Sequence, residues 1–164
     1  MSLIHEEIVL SSGIMVDVET AGPIIGIHAL LSIGGCVVAH PEARFYVELK
    51  PDRTAYVQEA LDVCKLDLTV LQRTGQTPAT ALPAFVAWVR EQYTQPLFVA
   101  HNAAFDWMFV QFYLGAYGVH NSFGYKPLCT WSAYGPIMKT SLPHHAGKDA
   151  YLQTIDLRRH YGLE

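Results

Sequence analysis

Residues 14–22 read Ile-Met-Val-Asp-Val-Glu-Thr-Ala-Gly, an apolar stretch that carries two acids. Its first five residues are mostly apolar and β-branched, with turn-forming residues on both sides, so we predict a central β-strand over 14–18. Asp17 and Glu19 are two positions apart and therefore project from the same face of a strand. Acids at a strand end often simply meet solvent, so this pair alone does not identify a function.

Strand-like and helix-like segments alternate along the chain. Gly34 and Gly35 interrupt a second apolar strand and indicate a bulge or a close backbone approach. The pattern of residues 44–49 is that of a half-exposed strand near a sheet edge. These features predict an α/β fold, a mixed sheet flanked by helices. Further strands are predicted at 29–38, 44–49 and 96–100, helices at 56–63, 67–73, 78–93, 103–117 and 146–160, and the segment 128–139 is less certain.

Length and composition indicate one compact domain over residues 1–164. The chain is 51% apolar and 16% charged, which supplies a buried core and excludes a disordered or fibrous protein. Its net charge of −4 excludes a basic surface over the whole chain. Any binding of nucleic acid must therefore use a local basic patch or bound cations.

The distribution of cysteines and apolar segments bears on cellular location. Three cysteines, at positions 36, 64 and 129, are far apart and odd in number, which is typical of reduced thiols. No apolar run approaches the roughly 20 residues that span a bilayer, and the N-terminus has no signal-peptide pattern. We therefore expect a cytoplasmic protein without a membrane partner.

A further carboxylate, Asp106, ends the stretch His-Asn-Ala-Ala-Phe-Asp at residues 101–106. Asn102 is suited to cap the helix that follows, and the positive end of a helix dipole favours a carboxylate in the first turn. The alternative is that Asp106 is an ordinary charged residue at the start of a helix, with no functional role. Because the neighbours of Asp106 are large and apolar, only a narrow face of this helix can be open to a site.

The third polar element is His-His-Ala-Gly-Lys-Asp-Ala at residues 144–150. Asp149 falls in the first turn of a predicted helix and His144 just before it, so both can line one cleft. A solvated loop is the plain alternative. A second alternative is a zinc site formed by His144 and His145, although adjacent histidines rarely ligate one ion and no cysteine pair accompanies them.

Four carboxylates on three separate elements are the main functional signal. Gathered in one pocket, they could not all stay ionised without cations. Oxygen ligands select hard divalent ions, Mg²⁺ or Mn²⁺, and two such ions about 4 Å apart are used in phosphodiester displacement. A neutral histidine beside them is suited to act as the general base toward water.

These segments resemble the three motifs of the DEDDh branch of the DnaQ-like 3′–5′ exonuclease superfamily. Residues 15–23, Met-Val-Asp-Val-Glu-Thr-Ala-Gly-Pro, resemble the first motif, a strand carrying D-x-E-T. Residues 101–106 are similar to the second motif, and residues 144–150 resemble the third, H-x-A-x-x-D-A. Each motif alone is weakly specific, but three in family order are a strong signal. The similarity runs from about residue 8 to residue 160.

The resemblance implies a ribonuclease H-like fold with a mixed five-stranded sheet. It implies a hydrolase that uses two divalent cations, Mg²⁺ or Mn²⁺, to release nucleoside monophosphates from a 3′ end of DNA or RNA. By analogy with short family members, a homodimer is also implied. The implied metal ligands, which also count as catalytic residues, are Asp17, Glu19, Asp106 and Asp149, with His144 as the general base. The implied substrate-binding residues are Thr20, Ala21, His101, Asn102 and Phe105, and Glu19 is implied to contact the 3′-hydroxyl.

Several alternatives stay open at this point. The substrate could be DNA or RNA, since nothing readable reports on the 2′-position. The domain could instead be a non-catalytic nucleic-acid-binding or polymerase-docking module on the same scaffold. A one-residue shift would make His145 the base, although the spacing to Asp149 favours His144. Finally, residues 153–164 could be an additional family helix, with the true third motif beyond residue 164.

Overall fold

The computed structural model describes residues 3–135 and 143–163, with side chains from residue 6 onward. Helices and strands alternate through these ranges, as the periodicity predicts. In chain order they are α1 (Leu3–Ser12), β1 (Gly13–Thr20), β2 (Leu30–Val37), β3 (Arg44–Glu48), α2 (Gln58–Cys64), α3 (Leu68–Thr74), α4 (Pro78–Gln92), β4 (Leu97–Ala100), α5 (Ala103–Ala116), β5 (Leu128–Cys129), α6 (Thr130–Tyr134) and α7 (Ala146–His160).

The strands form one mixed five-stranded sheet in the order β3-β2-β1-β4-β5. β1 is central, antiparallel to β2 and parallel to β4. β2 pairs with β3 antiparallel, and β4 pairs with β5 parallel. The predicted α/β class, the central strand at 14–18 and the edge position of residues 44–48 are confirmed.

Side chains of β1 alternate between the two faces of the sheet, which sets where its acids lie. Ile14, Val16 and Val18 belong to the core cluster that also contains buried residues of α4 and α5. Met15 belongs to the opposite cluster, with buried residues of α1 and α7. Because alternate residues share a face, Asp17 continues the row of Met15 and faces α7.

Gly34 marks a close approach of another backbone rather than a bulge, whereas Gly35 makes room for the side chain of Trp88. Gly34 pairs in regular register with Asp17 and Tyr46 on the two neighbouring strands. The register of β1 and β2 shifts instead between Glu19 and Thr20. A Cβ atom on Gly34 would lie 2.0 Å from the backbone oxygen of Ala146. The first turn of α7 therefore rests directly on the backbone of β2.

Some local features differ from the sequence predictions. Helix α1 was not predicted, because Val9 is buried and its neighbour Ile8 is 47% exposed, so no regular apolar stripe marks this helix. Asn102 occupies the N-cap position of α5, but its side chain makes no capping hydrogen bond. The uncertain segment 128–139 contains β5 and α6. Its last residues, 136–139, lie outside the described residues.

Within residues 3–135 and 143–163, no helix combines the length and apolar character needed to cross a membrane.

Cys36, Cys64 and Cys129 are free thiols, the first two buried and the third half-buried.

Candidate active site

A cavity of about 240 Å³ lies where the end of β1 meets the first turns of α5 and α7. It draws on all three sequence motifs, which are far apart in the chain. It contains the four predicted metal ligands, the predicted base and three of the five predicted substrate residues. The lining residues are Asp17, Val18, Glu19, His101, Asn102, Phe105, Asp106, His144, Asp149 and Gln153.

A larger cavity of about 440 Å³ lies beside α2 and α3. Its acidic residues are Asp62 and Asp67, and Asp67 already accepts hydrogen bonds from Thr69 and Val70 as the cap of α3. No histidine or cysteine is among its described lining residues. The residues that the sequence predicts to be catalytic line the smaller cavity.

Asp106 is held against the middle of the first motif. It is buried in the first turn of α5, and its Oδ1 accepts a hydrogen bond from the backbone N–H of Val18 at 3.0 Å. Val18 lies between Asp17 and Glu19, so the carboxylate of Asp106 is brought beside the pair on β1. The ladder between β1 and β4 ends at Met15, which leaves the Val18 N–H free to make this bond.

Asp149 and His144 enter the cavity from the start of α7. Asp149 is 2% exposed, and its Oδ2 accepts a hydrogen bond from the backbone N–H of His145 at 3.2 Å. Its Oδ1 is buried without a hydrogen-bond partner in the described chain. His144 is exposed and has a φ of 54°, a left-handed conformation that is uncommon for residues other than glycine. Ligand atoms of Glu19, His144 and Asp149 all lie within 4.8 Å of one another.

His145 has a separate position and does not line the cavity. Its ring stacks on Tyr46 of β3, with ring centroids 4.3 Å apart and an interplanar angle of 27°. Its Nδ1 accepts from the backbone N–H of Lys148 at 3.4 Å, at the N-cap of α7. The structure therefore favours His144 over His145 as the cavity histidine, and nothing described supports a site built on both. The convergence of His144 and Asp149 likewise favours residues 144–150 as the third motif.

Burial raises the pKa of all four carboxyl groups, and repulsion from neighbouring acids adds to the shift for Asp17 and Glu19. Burial, as the larger cause, together with the charges of Asp149 and Asp106 raises the pKa of Glu19 to about 8. Burial raises the pKa of Asp106 to about 7, although the hydrogen bond from Val18 opposes the shift. The pKa of Asp17 is raised well above its ordinary value by burial and then by three neighbouring acids. Burial also raises that of Asp149.

The predicted substrate residues fall into two groups. His101, Asn102 and Phe105 line the cavity, and the Nδ1 of His101 is hydrogen-bonded to the Thr130 hydroxyl at 3.0 Å. Thr20 and Ala21 do not line it. The backbone N–H of Ala21 donates to Ala29, and its oxygen accepts from Val57. Direct substrate contact by Thr20 and Ala21 stays a prediction.

Gln153 is a cavity residue that the sequence motifs did not reveal. It lies one turn after Asp149 on α7, and its Nε2 donates to Oδ1 of Asp17 at 2.7 Å. The four-residue spacing from Asp149 places it on the same helix face, which is the one sequence signal that could have identified it.

The donor set fits divalent cations. It consists mainly of carboxylate oxygens, the ligands that Mg²⁺ and Mn²⁺ prefer. The raised pKa values mean that metal-free carboxyl groups here resist ionisation, and bound cations would remove that cost. The unpartnered Oδ1 of Asp149 is available as a ligand.

Comparison with known proteins agrees with this geometry. The chain is 37% identical over 124 residues to the 3′–5′ DNA exonuclease Cap18 of Escherichia coli. This similarity supports the relationship to 3′–5′ exonucleases that the three motifs predict. The alignment covers 74% of this chain and 66% of Cap18, a little under two thirds of that protein's length. No protein-family profile matches the chain.

Solved structures of DEDDh nucleases share the fold of this chain. The nuclease domain of 3′hExo, a DEDDh family member bound to rAMP, has a TM-score of 0.72 at 12% identity, covering 94% of each chain. A zinc-bound complex of Escherichia coli ExoI with single-stranded DNA has a TM-score of 0.68 at 13% identity, covering 92% of this chain and 41% of that one. The ribonuclease H-like fold expected from the motifs is therefore confirmed.

Proposed function

We propose that residues 1–164 form one exonuclease domain that hydrolyses terminal phosphodiester bonds at the 3′ end of single-stranded DNA or RNA. The observation that carries the proposal is the convergence of four carboxylates and one histidine in a single cavity. The name of Cap18, a DNA exonuclease, supports DNA as the first substrate to test.

Two divalent cations, Mg²⁺ or Mn²⁺, are proposed to be held by Asp17, Glu19, Asp106 and Asp149. When bound, they would supply the positive charge that stabilises the attacking and leaving oxygens of the phosphodiester. They would also place positive charge beside the substrate of a protein whose net charge is −4.

His144 is proposed to accept the proton of the attacking water. It lies within 4.8 Å of the ligand atoms of Glu19 and Asp149 and is exposed, so a proton taken by its ring can pass to solvent. Imidazole is the side chain that most often performs this role near neutral pH. Glu19 is proposed to contact the 3′-hydroxyl. His101, Asn102 and Phe105 are proposed to enclose the space that the last nucleotide occupies.

A non-catalytic docking module is the competing function. Such a module has no need to bury four repelling carboxylates, and their retention beside His144 supports catalysis instead. A thermal-shift titration with Mn²⁺ separates the two functions. A catalytic domain is expected to be stabilised by the cation, with an increment of about 2.7 kcal/mol at a hundred times Kd.

The direct test is digestion of single-stranded DNA and RNA of one sequence, each labelled at its 5′ end, with Mg²⁺ or Mn²⁺. We expect a ladder that shortens from the 3′ end, no reaction in EDTA, and no reaction by Asp17→Asn. Glu91→Gln, an exposed acid on α4, is the matched control and should retain activity. Full activity of purified Asp17→Asn would contradict the site, and inactivity of the unmodified protein on both substrates would contradict the function.

Two further parts of the proposal concern assembly and location. Homodimerisation, proposed by analogy with short family members, is tested by light scattering coupled to gel filtration. A cytoplasmic location is tested by cell fractionation.

A further inference from the structure

Gln153 makes a contact that none of the three motifs requires. It is 3% exposed and lies among the residues that line the cavity. Its Nε2 donates to Oδ1 of Asp17 at 2.7 Å, across 136 positions of sequence. Gln153 therefore holds the side chain of a proposed metal ligand in place.

The orientation of the Gln153 amide follows from the chemistry of its partner. When Asp17 is ionised, as a cation ligand must be, it only accepts hydrogen bonds, so the NH₂ group faces Asp17 and the amide oxygen points elsewhere. That Oε1 is buried and has no hydrogen-bond partner in the described part of the chain. A buried polar atom left in this state costs about 1–3 kcal/mol, so a ligand that donates to it would be favoured.

A second unpartnered acceptor lies one turn earlier on α7. Oδ1 of Asp149 is also buried and unpartnered among the described residues, and both residues line the same cavity. A hydrated divalent cation offers what these two atoms need, because it supplies positive charge to the carboxylate and O–H donors to the amide oxygen.

We propose that Gln153 is a positioning residue of the cation site. Its Nε2 orients Asp17 toward the cation, and its Oε1 accepts a hydrogen bond from a water molecule of the hydrated ion. This inference rests on the proposed metal-dependent function. Residues that hydrogen-bond to metal ligands typically change metal affinity or activity by 10–100-fold when they are replaced.

The chain offers a matched control for this proposal. Oε1 of Gln111 on α5 is also buried without a partner in the described chain, but Gln111 does not line the cavity. Gln111→Met and Gln153→Met therefore delete the same amide from two half-buried or buried positions, and only the second removes a contact to Asp17.

The test is a Mn²⁺ titration of the metal-free protein, followed by thermal shift, for the unmodified chain and both variants. We expect Gln153→Met to weaken the apparent Mn²⁺ affinity by about tenfold or more, and Gln111→Met to leave it unchanged. With single-stranded DNA, we expect Gln153→Met to regain much of its lost activity at high Mn²⁺, with little change in KM for DNA. If Gln153 only stabilised the fold, neither the loss of Mn²⁺ affinity nor the recovery of activity at high Mn²⁺ would be expected.

The outcomes separate this inference from the proposed function. If the unmodified protein responds to Mn²⁺ and folded Gln153→Met binds it within about twofold of the same affinity, the inference is overturned and the function stands. If the unmodified protein shows no Mn²⁺ response, both are overturned. Should Gln153→Met fail to fold, Gln153→Ala removes the same amide with the residue most favourable to a helix, and the same comparison applies.

Discussion

Val18 and Asp106 join two parts of the molecule that lie 88 positions apart in the sequence. The backbone N–H of Val18 donates to Oδ1 of Asp106 at 3.0 Å, beyond the point where the β1–β4 ladder ends. The side chain of a helix thus completes the hydrogen bonding of a strand, and the same bond brings Asp106 beside the two acids of β1. One contact serves both the fold and the site.

Asp106→Asn and Asp106→Ala are expected to separate these two roles. Asparagine can still accept from Val18 but carries no charge, so Asp106→Asn should fold and lose its Mn²⁺ response. Alanine leaves the Val18 N–H unpartnered, so Asp106→Ala should be less stable than Asp106→Asn by about 1–3 kcal/mol. Urea unfolding of the metal-free variants measures the difference. Equal stability of the two variants would show that the bond to Val18 contributes nothing.

The stability of the metal-free protein is expected to fall as pH rises. Glu19 has its pKa raised to about 8 and Asp106 to about 7, so the folded chain retains protons that the unfolded chain releases above about pH 4. This stability is complete below about pH 4 and is lost as pH rises through about 7 to 8. Urea unfolding in EDTA, at intervals from about pH 5 to about pH 9, should show the decline.

The control for this pH dependence is Asp106→Asn, which removes one of the two groups and should flatten the decline. Excess Mn²⁺ should reverse it in the unmodified protein, because the cation binds the ionised carboxylates. If the free energy of unfolding of the metal-free protein rose steadily over this pH range, the assignment of raised pKa values to the cavity carboxyl groups would be contradicted.

His144→Ala is expected to lower kcat by about 10²–10⁴-fold while the Mn²⁺ response persists, since the proposed role is proton transfer. His145→Ala is the neighbouring control. It removes the stack on Tyr46 and the cap of α7, so it should cost about 0.5–2 kcal/mol of stability with a smaller effect on kcat. Loss of Mn²⁺ affinity by His144→Ala as complete as in Asp17→Asn would indicate a ligand role instead.

Gly34→Ala is expected to displace α7 and with it Asp149. The added Cβ would meet the backbone of Ala146 at 2.0 Å, which no side-chain movement can relieve. We expect a loss of about 1–3 kcal/mol or more, together with weaker Mn²⁺ binding. Gly115→Ala on α5 is the control, because its Cβ would meet nothing within 4 Å. It should stabilise the helix by about 0.4–1 kcal/mol, and similar melting temperatures for both variants would contradict the close approach.

Most of the sheet and its flanking helices could be predicted, because periodic apolar residues and turn-forming residues mark them locally. The site residues could be predicted because Asp17, Glu19 and Asp106 are acids close to apolar residues, while Asp149 lies in a polar segment with His144. Helix α1 was missed because its burial is not one-sided. Gln153 was missed because nothing near it in the chain reveals that its partner lies 136 positions away.

Local sequence was thus enough to assign most of the elements, the charged side chains and the family motifs, since each depends on neighbours within a few residues. The folded chain alone decided the rest. It placed Asp106 on the Val18 N–H and Gln153 on Asp17, turned His145 away to Tyr46, and seated α7 on Gly34. These outcomes depend on how helices pack across the sheet, because contacts between distant residues are set by the summed packing of the core.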